Sequence, residues 1–142
     1  EPDMSYKRSD SLCSALQLIN HLQDIGDDYR TLDRVYLPMN WVHDADLNLI
    51  DLNCNKTTPA LRRVLDWTLI GINEQLADAE NLHASLSSVR LSLETSIIYQ
   101  IARKLHQKLG GNDPLSKRIE LSKLELASCS SKGVATGLLC RF

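Results

Sequence analysis

The chain of 142 residues is 43% hydrophobic and 24% charged, with a formal net charge of −2. That length allows one domain burying roughly two thirds of its unfolded surface, and acids interspersed among the basic residues exclude the one-sided positive face that nucleic acids require. No apolar run approaches the ~20 residues that span a bilayer, so the chain reads as soluble or peripheral at a membrane. Cys13, Cys54, Cys129 and Cys140 form no C-x-x-C pair, which points to a reducing compartment such as the cytoplasm rather than to zinc or redox chemistry.

Ser9, Asp10 and Ser11 are good N-cap residues, and the apolar spacing after them predicts a helix running to about Tyr29-Arg30. Val35-Tyr36-Leu37 reads as an extended link, because the residue before Pro38 is pushed out of helical angles. Pro38 then opens a short helix through Asn40 to His43. Residues 44–56 have no period. Their Asp44-x-Asp46-x-Asn48 start imitates a calcium loop, but Leu49 stands where the glycine belongs and Asn55 where the bidentate glutamate belongs, which excludes one. Thr58-Pro59 pairs a cap with proline at the first helical position, and Leu61, Leu65, Leu69, Ile72, Leu76 and Ala79 carry the stripe to about Leu82. Beyond a linker at 83–88, Leu91 to Leu109 define another helix with Gly110-Gly111 as its stop signal. Asp113-Pro114 restarts a short helical piece. Ser122-Lys123-Leu124-Glu125 is a capping box that opens a last helix to about Leu139. Without strand alternation, repeats or low-complexity tracts, residues 1–142 read as a single all-α region with no internal domain boundary.

The chemistry concentrates in the first helix. Gln17, Asn20, Asp24 and Asp28 recur at steps of three, four and four residues, and at ~100° per residue they fall inside an arc of roughly 80°. Leu12, Ala15, Ile19, Leu22, Ile25 and Tyr29 take the other side. Two carboxylates one turn apart can each lend an oxygen to magnesium ions that keep several waters and complete their shell with substrate phosphates. Such pairs also occur on ordinary solvated helix faces. The balance shifts because Asn20, Asp24, Gly26, Asp27 and Asp28, all poor helix-interior residues, crowd the middle of a strong apolar pattern, and local rules are broken most often at functional sites. Asp27 lies off the arc and is read as a solvated flank or a partner for Arg30.

Gln17-x-x-Asn20-x-x-x-Asp24-x-x-x-Asp28, followed by Asp33-Arg34-Val35-Tyr36-Leu37-Pro38, resembles the second aspartate-rich motif and the RVYLP segment of the squalene/phytoene synthase family. Residues Asp113 to Lys123 resemble that family's C-terminal DPL…RV.LSK segment. Gln23, in front of the first aspartate, is similar to the bacterial hopanoid-pathway, squalene-synthase-like members. The resemblance implies a helical isoprenoid-synthase-type fold and the Mg2+-dependent, head-to-head coupling of prenyl diphosphates. Farnesyl diphosphate would become presqualene diphosphate, or that compound would be converted to hydroxysqualene or squalene. Asp24 and Asp28 would be metal ligands facing an internal cavity and, with Tyr99 turned toward the carbocation, the catalytic set. Gln17, Asn20, Arg34, Tyr36 and Arg118 would bind substrate, Arg118 gripping the diphosphate with its planar fork of donors. Family members are about twice this length and carry a further aspartate-rich motif upstream, which has no counterpart here; the chain also begins at Glu1-Pro2-Asp3, without a methionine. The expectation is a C-terminal half that is inactive alone.

Read as residues only, Arg118 could equally form a surface ion pair with Glu120 or Glu125, and Tyr99 could be a buried tyrosine with a satisfied hydroxyl. Trp41 and Trp67 read as core or interface anchors. His21, His43, His83 and His106 show no ligand spacing, and no H-E-x-x-H, G-x-S-x-G or glycine-rich phosphate loop occurs, which removes metalloprotease, serine hydrolase and nucleotide readings. The competing class is a non-catalytic helical module whose acidic stripe serves solubility or partner binding. Isoprenyl diphosphate synthases and terpene cyclases are disfavoured by the RVYLP segment.

Overall fold

The leucine stripe behind Thr58-Pro59 forms the central helix of the computed structural model, which describes residues 3–139; Cys140 lies outside the described residues. Thr58 caps this helix as its sequence predicts, its hydroxyl accepting from the Leu61 N–H at 3.3 Å. Among the described residues the α-helices are α1 Asp3–Gln23, α2 Ile25–Leu32, α3 Met39–Asp44, α4 Pro59–Asp78, α5 Val89–Gly111 and α6 Lys123–Leu139. Turns of 3-10 helix occupy Leu49–Asn53 and Leu82–Ser85. The expected all-α class holds: no strand occurs among the described residues, and no helix of theirs is long and apolar enough to cross a membrane.

Helix α4 buries Leu61, Val64, Leu65, Leu69, Ile72 and Leu76. Against that stripe α1 sets Leu12, Ala15, Ile19 and Leu22, and α5 sets Ala102 and Leu109. The pairing runs antiparallel between α4 and α5: Arg62 reaches the Leu109 carbonyl, His106 meets the Leu69 carbonyl at 2.9 Å, and Arg103 meets Asn73. Trp41 and Trp67 meet edge to face at 6.1 Å beside this core, the anchoring role their type suggests.

Several boundaries depart from the sequence pattern. Helix α1 begins at Asp3 rather than near Ser9, because Ser11 is buried in its interior and Ser5 is held from outside by the carbonyl and hydroxyl of Ser85. The single predicted helix also bends at Asp24, whose φ and ψ of −102° and 6° separate α1 from α2. Helix α4 stops at Asp78 instead of Leu82, and the chain turns through left-handed Asn81. Helix α5 does end at Gly111, as Gly110-Gly111 predicts, but neither glycine takes positive φ; the Asn112 side-chain amide satisfies the Lys108 carbonyl at 2.8 Å instead. Asp113-Pro114 makes a turn, not a helix. The Asp113 carboxylate accepts from the Leu115 N–H within the turn and from the hydroxyl and N–H of Thr57 across it. Partial burial pushes this carboxyl up, but the Thr57 and Leu115 donors outweigh it and hold it below the usual range.

Helix α6 lies on α5 through Cys129, Gly133 and Gly137. A Cβ on Gly133 would stand 2.5 Å from the Ile97 Cα, backbone that cannot rotate away. The Ser122 capping box forms as predicted: Ser122 Oγ accepts from the Glu125 N–H at 3.2 Å and Glu125 accepts from the Ser122 N–H at 2.8 Å. Lys108 closes on the same carboxylate at 2.7 Å, so this lysine and the Ser122 N–H hold the Glu125 carboxyl down at about 2.

Gly133→Ala is expected to lower the thermal midpoint even though alanine is the better helix former, since overpacking costs about 1–3 kcal/mol. An unchanged or raised midpoint in calorimetry would contradict the packing. Because the Glu125 carboxyl is lowered on folding, its stabilisation is complete above pH 4.5 and is lost as pH falls from there to about 2. In melts across that window, Glu125→Gln should show a weaker pH dependence than wild type; identical slopes would show the capping carboxylate to be energetically idle.

Candidate functional site

The acidic ridge occupies the junction of α1 and α2. Helical hydrogen bonding survives on both sides of the bend, with the Asp24 N–H donating to the Asn20 carbonyl at 3.0 Å and the Asp28 N–H to the Asp24 carbonyl at 2.7 Å. Gln17 and Asn20 are exposed, Asp24 and Asp28 half-buried. Buried Gly26 has a packing reason: a Cβ there would lie 2.9 Å from a methyl of Leu115. Asp27 takes Arg30 at 2.7 Å, the partnership its off-arc position predicts.

Residues 113–122 form a strap across this junction. It starts at the Asp113–Thr57 hydrogen bonds, buries Leu115 and Ile119, and ends at the Ser122 cap. The strap brings Arg118 onto the ridge: its Nε stands 3.0 Å from Asp24 Oδ1 and its Nη2 donates to Oδ2 at 3.3 Å. Glu120 lies farther off, 3.7 Å from Nε, and Glu125 is taken by Lys108. Of the two surface pairings open from the sequence, Glu120 is thus a secondary partner and Glu125 none.

Gln23, next to Asp24, was not among the predicted site residues. Its side chain is buried and its Nε2 donates to the Ile119 carbonyl at 2.5 Å. Four residues beyond Ile19 and eleven beyond Leu12, it sits on the apolar face, and a polar amide there is the one signal that could have singled it out.

A second cluster gathers at Asp28. The Arg34 N–H donates to the Asp28 carbonyl at 3.2 Å, and Arg34 Nη1 donates to the Tyr36 hydroxyl at 3.4 Å. That bond to Tyr36, with a smaller contribution from the Asp28 charge, raises the guanidinium pKa. The Tyr36 ring stacks on His21 at 3.9 Å and 14°, which fixes it over the outer face of α1. Tyr99 stands apart. It is half-buried on α5, with Arg103 and Glu80 as the charges that act on it, and burial above all raises its hydroxyl pKa, so it is neutral at physiological pH.

The structure therefore brings together Asp24 with Arg118 and Asp28 with Arg34 and Tyr36, and it does not join Tyr99 to either pair. Asp24 and Asp28 offer hard oxygen donors. Among the described residues no group of three His, Cys, Asp or Glu side chains forms a closed cation cage. A pair of carboxylates with flanking arginines is a donor set suited to magnesium that keeps waters and shares phosphate oxygens. A groove of about 750 Å³ lies between α5 and α6, but its lining, Arg103, Lys104, Glu125, Cys129 and Lys132 among it, includes no ridge residue.

A family model described as squalene/phytoene synthase matches residues 1–125. The hydroxysqualene synthase of Rhodopseudomonas palustris is 37% identical over 141 residues, covering 99% of this chain and 48% of that protein. That of Zymomonas mobilis is 33% identical over 117 residues, 82% of this chain and 39% of the relative. The phytoene synthase of Thermus thermophilus is 32% identical over 126 residues, 84% and 41%. No solved structure matches. The chain spans about half the length of these relatives, or less. On the match across residues 1–125 and the identity along nearly its whole length, the chain belongs to the squalene/phytoene synthase family.

Proposed function

We propose that the intact protein is a prenyltransferase of isoprenoid biosynthesis that couples two prenyl diphosphates head to head, or converts the product of that coupling. Farnesyl diphosphate would yield presqualene diphosphate, or presqualene diphosphate would yield hydroxysqualene or squalene. The names of the similar bacterial proteins favour the squalene side of the family over phytoene formation. Because its substrates and products carry long apolar chains, association with a membrane surface belongs to the same reading.

One observation carries it: Arg118, ninety-four residues away in sequence, is delivered to within 3.0 Å of Asp24. A carboxylate of the kind that binds cations and a guanidinium of the kind that binds phosphate thereby share one spot, which supports their holding a metal–diphosphate pair. Asp24 and Asp28 would hold Mg2+, which when bound neutralises the leaving diphosphate so that the carbon–oxygen bond can ionise. Arg118 donates its fork to the diphosphate oxygens, and Arg34, steadied by Tyr36, adds a second positive group near Asp28. Gln17 and Asn20 extend the polar wall toward metal-bound water.

Titration calorimetry of the 142-residue chain with pyrophosphate in the presence of magnesium tests this. Asp24→Asn and Asp28→Asn should each weaken binding by at least about tenfold, equivalent to ~1.4 kcal/mol. Binding indifferent to both substitutions, or absent in the unaltered chain, would favour a non-catalytic helical module. Incubated with farnesyl diphosphate and magnesium, the chain alone should form no extractable hydrocarbon or alcohol, since the magnesium that one carboxylate pair can hold would neutralise only part of the leaving group's charge; measurable turnover would contradict that.

A further inference from the structure

The contact between strap and ridge has two adjacent rungs. Neighbours Gln23, the last residue of α1, and Asp24, at the bend, meet neighbours Ile119 and Arg118 on the strap, one pair through a buried amide and the other through a half-exposed ion pair. These rungs differ in kind. The Arg118–Asp24 pair is open to water and salt, and pairs of that type fix a geometry weakly. The Gln23–Ile119 bond is buried, neutral and unscreened, and breaking it leaves a carbonyl without a partner away from water.

Leu115 and Ile119 bury their side chains, but the strap between its two ends has few polar contacts to fix its backbone. Residues 117–121 belong to no helix, and the Ser116 hydroxyl is spent on the Asp113 carbonyl at one end, as Ser122 is on Glu125 at the other. Between Ser116 and Ser122, the hydrogen bonds among the described residues are the two rungs. The carbonyl gripped by Gln23 belongs to the residue directly after Arg118, so the amide fixes the backbone from which the guanidinium projects.

We propose that Gln23 is a positioning residue: its buried side-chain amide, by holding the Ile119 carbonyl, sets the Arg118 guanidinium against Asp24 and so governs how tightly the site takes a diphosphate. The second half of this statement rests on the function proposed above; the first does not. With its backbone anchored, Arg118 can leave the Asp24 carboxylate for a phosphate oxygen by side-chain rotation alone. The strap does not have to move.

The test reads Arg118 directly. In the nitrogen-15 spectrum of the 142-residue chain, the arginine Nε–H signal that disappears in Arg118→Lys reports the ion pair. Gln23→Met, similar in length and without a donor, should speed exchange of that proton with water by about tenfold or more and weaken magnesium-dependent pyrophosphate binding by a similar factor, while the other arginine signals stay put. Gln23→Asn, one methylene too short, should do the same and serves if the methionine variant fails to fold. An unchanged Arg118 signal in a folded Gln23 variant would overturn the proposal. A released Arg118 in a chain whose unaltered form binds no pyrophosphate would uphold the positioning role and tell against the diphosphate site instead.

Discussion

Everything at the ridge depends on the strap of residues 113–122 lying across the end of α1. The strap carries the only arginine that reaches Asp24 among the described residues, and it is seated by burial rather than by charge: Leu115 against Gly26, Ile119 in the core, and the Gln23 amide on the Ile119 carbonyl. Buried neutral contacts of this kind are insensitive to salt, whereas the ion pair they position is not. The protein thus separates two tasks, holding the segment in place and leaving its charged tip free to change partners.

That separation suits phosphate chemistry. A carboxylate that ligates a cation must carry little penalty for giving up its resting partner, and a half-exposed arginine is such a partner, since surface pairs contribute about 0–1 kcal/mol. Arg118 neutralises Asp24 without locking it. Around Asp28 the same economy appears in another form: Arg34 is tied to the Tyr36 hydroxyl and Tyr36 to the His21 ring, so the positive group stays near the carboxylate without closing an ion pair on it. Both carboxylates remain half-buried with oxygens to offer.

Much of this was legible in the sequence where the cause is local. The 3.6-residue stripe gave α4, Thr58-Pro59 its start, and Ser122 with Glu125 the start of α6. The spacing of Asp24 and Asp28, with Arg34-Val35-Tyr36-Leu37-Pro38 behind them, identified the ridge and the family. Local rules failed where a distant partner intervened. Ser9 to Ser11 look like a helix start, yet the helix runs through them because Ser85 and the core support its first turns. Gly110-Gly111 does mark the end of α5, though Asn112 rather than a left-handed glycine supplies the cap. Asp113-Pro114 looks like a helix start, yet the carboxylate is drawn to Thr57, fifty-six residues back. Gln23 is legible in the sequence as a polar residue on the apolar face in front of Asp24, but its role is not, because its partner lies ninety-six residues downstream.

The most direct measurement is anomalous diffraction from crystals of the chain grown with manganese, standing in for magnesium, and pyrophosphate. The account predicts a single strong peak within metal–oxygen bonding distance, about 2.0–2.3 Å, of carboxylate oxygens of both Asp24 and Asp28, with the Arg118 guanidinium turned from Asp24 to the diphosphate. A map with no peak at the ridge and Arg118 still seated on Asp24, at concentrations where the ion and pyrophosphate are in large excess, would contradict it.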